Sequence, residues 1–417
     1  MLYVMAGSLF LLIVRPYEVY EILGDMRIEF IYGLFTLLCF IVSKKKRIFN
    51  SPIVNWLLLF LVVMCISSVT ALQPEHAFDA TFKYFKICLV FFIMMWALYE
   101  YGDYRRIIEF FVLITILYVL WSLWEFMQGR YRWSMGLTRL MGRDVTYGHP
   151  NTFASTIATL FPFVVALLRA GLTKKIYKWI LLGFIPVGIA CVLLTGSRGG
   201  FVQLLFLCIL FAFARKGKIR TLIILLVGLF IGWYMLPENL QNRFYSLVDP
   251  SVAPNAESAH SSAEGRIDGL LHGIDLFMDN PLLGVGPDNT IYTFGDAMGY
   301  EAHNLYGQVL GELGFLGTLT FFMAIALCSI QAVRNCKNAK RYLAAWGQSP
   351  YAEEYRKQFD FVYKVNVASG QCLLLLLFAG NFGHNLFKYN WLFIAYVVVC
   401  GRIILKSVTK EIAQSNG

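Results

Sequence analysis

Twelve apolar runs separated by polar connectors leave a chain of this kind few ways to fold. They cover roughly residues 1–14, 28–43, 53–72, 83–99, 106–127, 151–169, 176–195, 199–214, 219–236, 313–333, 363–382 and 388–405. About 20 apolar residues span a bilayer core, where backbone groups must satisfy one another, and helices do so within one segment. The expectation is an all-α, polytopic transmembrane bundle of about twelve spans embedded among membrane lipids, with the first, second and eighth runs shortest. Composition agrees: 58% of the residues are hydrophobic and only 15% charged, which no ordinary soluble domain tolerates.

The net charge of +10 is dispersed through short connectors, the pattern of the positive-inside rule and not of a nucleic-acid footprint. Lys44-Lys45-Lys46-Arg47, Arg105-Arg106, Lys174-Lys175, Arg215-Lys216-Gly217-Lys218 and the 334–364 segment share one side. An even number of spans puts both termini there, with Lys406 and Lys410, and that side is expected to be cytoplasmic. The other side has little lysine beyond Lys388, Lys83 and Lys86. It carries instead Arg15, Arg27, Arg130, Arg132, Arg139, Arg143, Arg198, Arg243 and Arg266. A planar, bidentate cation repeated against the topological rule suggests phosphate gripped near the membrane surface. Helix capping and lipid headgroups are the plainer reading of any one of them.

Three regions follow: helices over 1–236, an outer loop with its catalytic corner over 237–312, and helices with a tail over 313–417. Within the loop, Asp249 through Ser262 reads as polar turns. From Arg266, Ile267, Leu270, Leu271, Ile274, Phe277 and Met278 recur at helical spacing and stop at Asn280-Pro281. Gly284-Val285-Gly286-Pro287 makes a tight return toward Glu301-Ala302-His303-Asn304-Leu305-Tyr306. Gly307, Gly311 and Gly314 then follow His303 at helical steps, so the histidine is expected to top a smooth stripe against which another helix packs. The plain reading of His303 is a helix cap; the sharper one is a general base.

Gly196-Ser197-Arg198-Gly199-Gly200 lies between two spans and reads either as a hairpin turn or as an anion nest beside a guanidinium. Arg139 and Arg143 precede Asn151 on the same side. All six histidines map there too, but none are paired at i, i+4, so no metal site is expected. Eight of the nine cysteines fall in apolar runs, which supports neither a disulfide framework nor a zinc site. Nucleotide-binding glycine loops and an Asp-x-Asp pair are missing, so no cofactor is expected.

In this order and topology, Gly196-Ser197-Arg198-Gly199-Gly200, Arg266, Asn280-Pro281-Leu282-Leu283-Gly284-Val285-Gly286, Ala302-His303-Asn304-Leu305-Tyr306 and Gly311-Glu312-Leu313-Gly314 resemble the O-antigen ligase/O-antigen polymerase superfamily. The likeness covers roughly residues 139 to 317. It implies a GT-C-like enzyme of the bacterial inner membrane that takes glycan from undecaprenyl pyrophosphate on the periplasmic side. With arginines stabilising the leaving group, a single displacement without metal and with inversion is expected. The acceptor implied is lipid A–core oligosaccharide for a ligase, another lipid-linked glycan for a polymerase, and a protein serine in related enzymes. The late position of the long loop suits the ligase. On this reading Arg198 and Arg266 hold the pyrophosphate, Arg139 and Arg143 are outer contacts, and His303 is the base. Asn304 or Tyr306 orients it or the acceptor, and Asn151, Gly199 and Glu312 complete the substrate-binding set. A transporter or lipid-glycan flippase is the alternative from another class. Charges gathered at one face, with no repeated halves, speak against it. A structural scaffold leaves the outward arginines unexplained, and Arg15 to Tyr20 receives no role.

Overall fold

The computed structural model describes residues 1–134, 136–144, 146–171, 175–214, 217–249, 256–293, 303–345 and 352–415, with backbone only at 256–264, 352 and 412–415. Lys174, Arg215, Lys216, Pro250 to Asn255, Glu301 and Ala302 lie outside the described residues.

A helix occupies each of the twelve expected positions. In chain order they are α1 (Leu2–Val14), α3 (Ile28–Val42), α4 (Pro52–Val69), α5 (Pro74–Ala97), α6 (Tyr101–Met127) and α7 (Pro150–Ala170), then α8 (Lys175–Leu194), α9 (Arg198–Phe213), α10 (Lys218–Tyr234), α13 (Leu305–Ala345), α14 (Ala352–Ala379) and α15 (Tyr389–Ser415). Short helices α2 (Glu21–Asp25) and α11 (Glu238–Tyr245), the longer α12 (Ala256–Asp279) and a hairpin of β1 (Arg132–Ser134) and β2 (Leu137–Arg139) fill connectors. Among the described residues, α4 to α8 and α13 to α15 are long and apolar enough to cross a membrane. The four others are shorter, at 13 to 17 residues. The chain is an all-α, multi-pass membrane protein.

Local chemistry explains the boundaries. Pro52, Pro74 and Pro150 open α4, α5 and α7, where a missing N–H is harmless. Ile31, Leu38, Leu58, Val62, Ile223 and Val227 are exposed on the outer faces of α3, α4 and α10, as lipid contact requires. Inside, Phe111 of α6 stacks on Phe393 of α15 with centroids 3.6 Å apart. Asn335 of α13 donates to Asn366 of α14 and to the Val398 carbonyl of α15, both at 2.8 Å. Apolar contact alone gives helices in lipid little reason to choose partners; such hydrogen bonds add specificity.

Connectors alternate between two ends of the bundle. At one end Arg15 bonds Thr146, His76 meets Asp288, Leu72 donates to Val285, Arg139 donates to Thr195 and Leu305 donates to Gly380. At the other, Arg47 donates to Trp96 and Arg105 to Gly171, while Lys364 donates to Arg169.

Two expectations about the loop change. α12 begins at Ala256 instead of near Arg266, because Ala256, Ala259, Ala263 and Glu264 are strong helix formers despite the segment's polarity. The glycine stripe is also not one continuous helical row. Gly307 and Gly311 do receive α12: a Cβ on Gly307 would lie 2.3 Å from the Gly269 carbonyl, and one on Gly273 equally close to that of Gly307. Gly314, however, has φ 60° and ψ −156° and breaks α13. The 281–286 loop fills the break. Phe315 and Leu316 donate to the Pro281 and Leu282 carbonyls, while Val285 and Gly286 donate to those of Gly311 and Glu312. Irregular backbone beside a span is tolerated when protein supplies every partner, and here the two irregular segments supply each other.

Candidate active site

The turn joining α8 to α9 is the floor of the site. Gly196 sits at φ +57°, and a Cβ there would lie 3.1 Å from Leu240, 3.4 Å from Arg243 Cδ and 3.6 Å from Arg139 Nε. Glycine therefore answers both the left-handed backbone and the passage of two arginine stems. The carbonyls at the end of α8, the negative end of a helix dipole, accept them: Arg139 Nε donates to Thr195 at 2.7 Å and Arg243 Nε to Gly196 at 2.6 Å. Ser197 then caps α9 by accepting from the Gly200 N–H at 3.1 Å. Arg198, the first residue of α9, is buried beside them.

Arg266 enters from α12, its guanidinium 5.7 Å from the Phe382 ring centre. Gly199 makes room for the same side chain: its missing Cβ would stand 3.1 Å from Phe382 Cβ. Neither Arg139 nor Arg243 has a carboxylate partner among the described residues. Burial and then Arg243, Arg132 and Arg198 push Arg139 down to about 9. Burial, Arg198 and Arg266 push Arg243 down to about 10, and burial with Arg198 also lowers Arg266. Buried cations that depress one another would be relieved by an anion, which makes the cluster a candidate anion site.

Histidines border this cluster. His303 is exposed just before α13, its ring stacked on His384 with centroids 6.0 Å apart. His149 caps α7, its Nδ1 accepting from the Asn151 N–H at 3.2 Å. Burial, reinforced by Arg139, Arg132, His303 and His384, pushes His149 down to about 4 and keeps it neutral.

The structure brings Arg139, Arg198, Arg266 and Asn151 together, the last by accepting from Arg139 Nη2 at 3.0 Å. It sends others elsewhere. Arg143 pairs with Glu125 and lies over Trp121. Asn304 is the N-cap of α13, accepting from Tyr306 N–H at 2.9 Å and Gly307 N–H at 3.2 Å. Tyr306 donates its hydroxyl to the Leu377 carbonyl at 3.0 Å. Glu312 is buried under the loop, accepting from Asp288 N–H at 2.9 Å, Thr290 at 3.1 Å and Gln308 at 3.2 Å. Sequence reasoning did not single out Arg243, His149 or His384. Each had a weak signal as one more basic residue on the arginine-rich side, but none falls within a recognisable motif.

A family model described as O-antigen ligase matches residues 183–322. This segment runs from α8 through the break in α13 and holds Arg198, Arg243, Arg266 and His303, while Arg139, His149 and His384 lie outside it. The resemblance carried by the motifs therefore extends over the turn, the loop and the α13 corner. No curated protein matches the chain.

Proposed function

We propose that this chain is a lipid-pyrophosphate-dependent glycosyltransferase of the O-antigen ligase type. In this reading it crosses the bacterial inner membrane twelve times in a GT-C-like arrangement, its active site facing the periplasm. Residues 1–236 and 313–417 form the membrane body and 237–312 the outer roof. The observation that carries the reading is a set of buried arginines, two of them without a described carboxylate partner, bordered by a histidine on the α13 corner. An undecaprenyl pyrophosphate is a doubly phosphorylated anion on a lipid, and Arg198, Arg243 and Arg266 would grip it, with Arg139 behind them.

The chemistry follows from that grip. The acceptor hydroxyl oxygen attacks the anomeric carbon while the carbon–oxygen bond to pyrophosphate breaks. His303 takes the hydroxyl proton, and the arginines hold the charge that builds on the leaving group. A single in-line displacement inverts the anomeric centre. The late loop and the resemblance favour lipid A–core as acceptor over another lipid-linked glycan or a protein serine.

The test uses purified full-length protein with undecaprenyl-pyrophosphate glycan and lipid A–core in EDTA. Glycan-capped lipid A–core with an inverted linkage is the expected product. Longer lipid-linked chains would instead indicate a polymerase, unmodified substrates moved across a bilayer a transporter, and loss of activity with EDTA a metal-dependent reaction.

A further inference from the structure

Away from the arginines, a cavity of about 640 Å³ opens between α1, α3 and α5. Its depth is apolar, with Leu12, Leu34, Leu37 and Val90 among its walls. Its rim mixes the cations Arg15, Lys83 and Lys86 with the carboxylates Glu18, Glu29 and Asp288. A second cavity of about 140 Å³ shares Arg15, Ile87, Thr146, Asp288 and Phe387 with the first and reaches His384. Because His384 stacks on His303, the two adjoining cavities lie in series between the side of the bundle and the neighbour of the proposed base. Arg139, Arg198, Arg243 and Arg266 line neither of them among the described residues.

We propose that this groove binds the acceptor, a phosphorylated acyl glycolipid, with one chain between α1, α3 and α5 and its headgroup on the rim. The proposal rests on the transfer reading above, and three features support it. Along α5 the lining runs from Ala80 to Ile93, and the part below the rim residue Lys83, at 1.5 Å per residue, is about 15 Å, half of a bilayer core. The groove's wall between α1 and α3 is closed by the Ser8–Thr36 hydroxyl pair at 3.0 Å and by Tyr32 donating to the Val4 carbonyl at 3.1 Å. The groove thus accommodates a chain confined to one leaflet, shorter than the polyprenyl chain of the donor. Lipid tails are as apolar as leucine, so the walls give shape and the rim decides which lipid stays. Cations suit a phosphate, and carboxylates suit sugar hydroxyls; together they match a phosphorylated sugar better than a plain phospholipid. Finally, a donor held at the arginines and an acceptor arriving by this path would meet at His303 from different sides.

Gly33 makes the test clean. It lines the groove, and a Cβ there would meet nothing within 4 Å. Gly33→Phe should fill the groove without disturbing helix contacts, with Gly33→Ala as control. Full-length protein in nanodiscs would be photolabelled with lipid A bearing a diazirine on an acyl chain and, separately, with a diazirine-bearing polyprenyl pyrophosphate. We expect the lipid A probe to label α1, α3 and α5, Gly33→Phe to abolish that labelling, and KM for lipid A–core to rise about tenfold or more with donor KM unchanged. Preferential labelling of the groove by the polyprenyl probe, a raised donor KM, or groove labelling no stronger than on the lipid-facing surface of α10 would each overturn the proposal. Labelling needs no turnover, so an inactive protein with a labelled groove would sink the transferase reading while leaving the lipid site standing.

Discussion

Arg243 is where resting stability and ligand binding should pull apart. It is buried, donates to the Gly196 carbonyl at 2.6 Å, and is pushed down to about 10 by burial, Arg198 and Arg266. Against an ordinary 12.5, at about 1.4 kcal/mol per pH unit, this is on the order of 3 kcal/mol held against the cation. The folded value lies below the unfolded one, so the unfolded chain binds more protons between pH 10 and 12.5. Stability would rise with pH through that window, and at neutral pH the whole penalty is present. Arg243→Gln removes the charge but also a charged hydrogen bond worth about 1.5–3 kcal/mol. The two nearly cancel, so the resting Tm should change little. Binding of a pyrophosphate should suffer far more. Losing one partner of a buried charge contact costs about 2–5 kcal/mol, roughly 30-fold to several-thousand-fold in Kd. Thermal unfolding of detergent-purified protein, followed by tryptophan fluorescence with and without geranyl pyrophosphate, separates the two effects. At a hundred times its wild-type Kd the ligand should stabilise wild type by about 2.7 kcal/mol and the variant by less than about 1 kcal/mol. A sharply lower resting Tm with undiminished ligand stabilisation would refute the reasoning and make Arg243 a strut for the 195–197 turn.

Other expectations are more direct. His303→Ala should lower turnover by about 10²–10⁴, the range for general-base removal, while keeping the geranyl-pyrophosphate shift; loss of the shift would move His303 to donor binding. Arg198→Lys and Arg266→Lys should each impair transfer, since a point charge does not reproduce bidentate grip; wild-type transfer by both, with normal expression, would remove them from the donor site. Gly314→Ala places a Cβ 2.6 Å from the Leu282 carbonyl carbon at φ +60°, so folded yield should collapse, and wild-type thermal stability would show that the break can straighten. His149 is held down to about 4 from an ordinary 6.5, so the unfolded state gains its proton first. Its contribution should be full above pH 6.5 and lost as pH falls toward 4. His149→Asn, which can still cap α7, should flatten that part of the stability profile; an unchanged slope would assign it to other groups.

Much of the architecture was legible because it depends on local properties. Apolar length placed all twelve helices, although α5 opens at Pro74, ahead of the apolar run that begins at 83. The alternation of connectors follows from counting crossings, so the arginine-rich face could be drawn before any contact was known. The Gly196 turn and the tight 284–287 return were readable for the same reason, since both are conformations that glycine alone adopts easily. Gly314 shows the limit: its spacing continues the helical pattern, and only the 281–286 loop, with four backbone hydrogen bonds to offer, makes breaking the helix favourable. The side chains of the site divide in the same way. Sequence showed that Arg139 and Arg143 lie four residues apart on one side of the membrane. It could not show that Glu125 takes one guanidinium while the end of α8 takes the other. Arg243, His149 and His384 reach the cluster from α11, the cap of α7 and the α14–α15 turn, distant stretches whose meeting depends on how the whole bundle packs. Asn304, Tyr306 and Glu312 look like one motif, yet each bonds a different element, because a helix start turns successive residues toward different neighbours. Residue type and spacing determine what a segment can become; which partner satisfies each buried charge or carbonyl is a property of the assembled fold, since those partners are tens to hundreds of residues away.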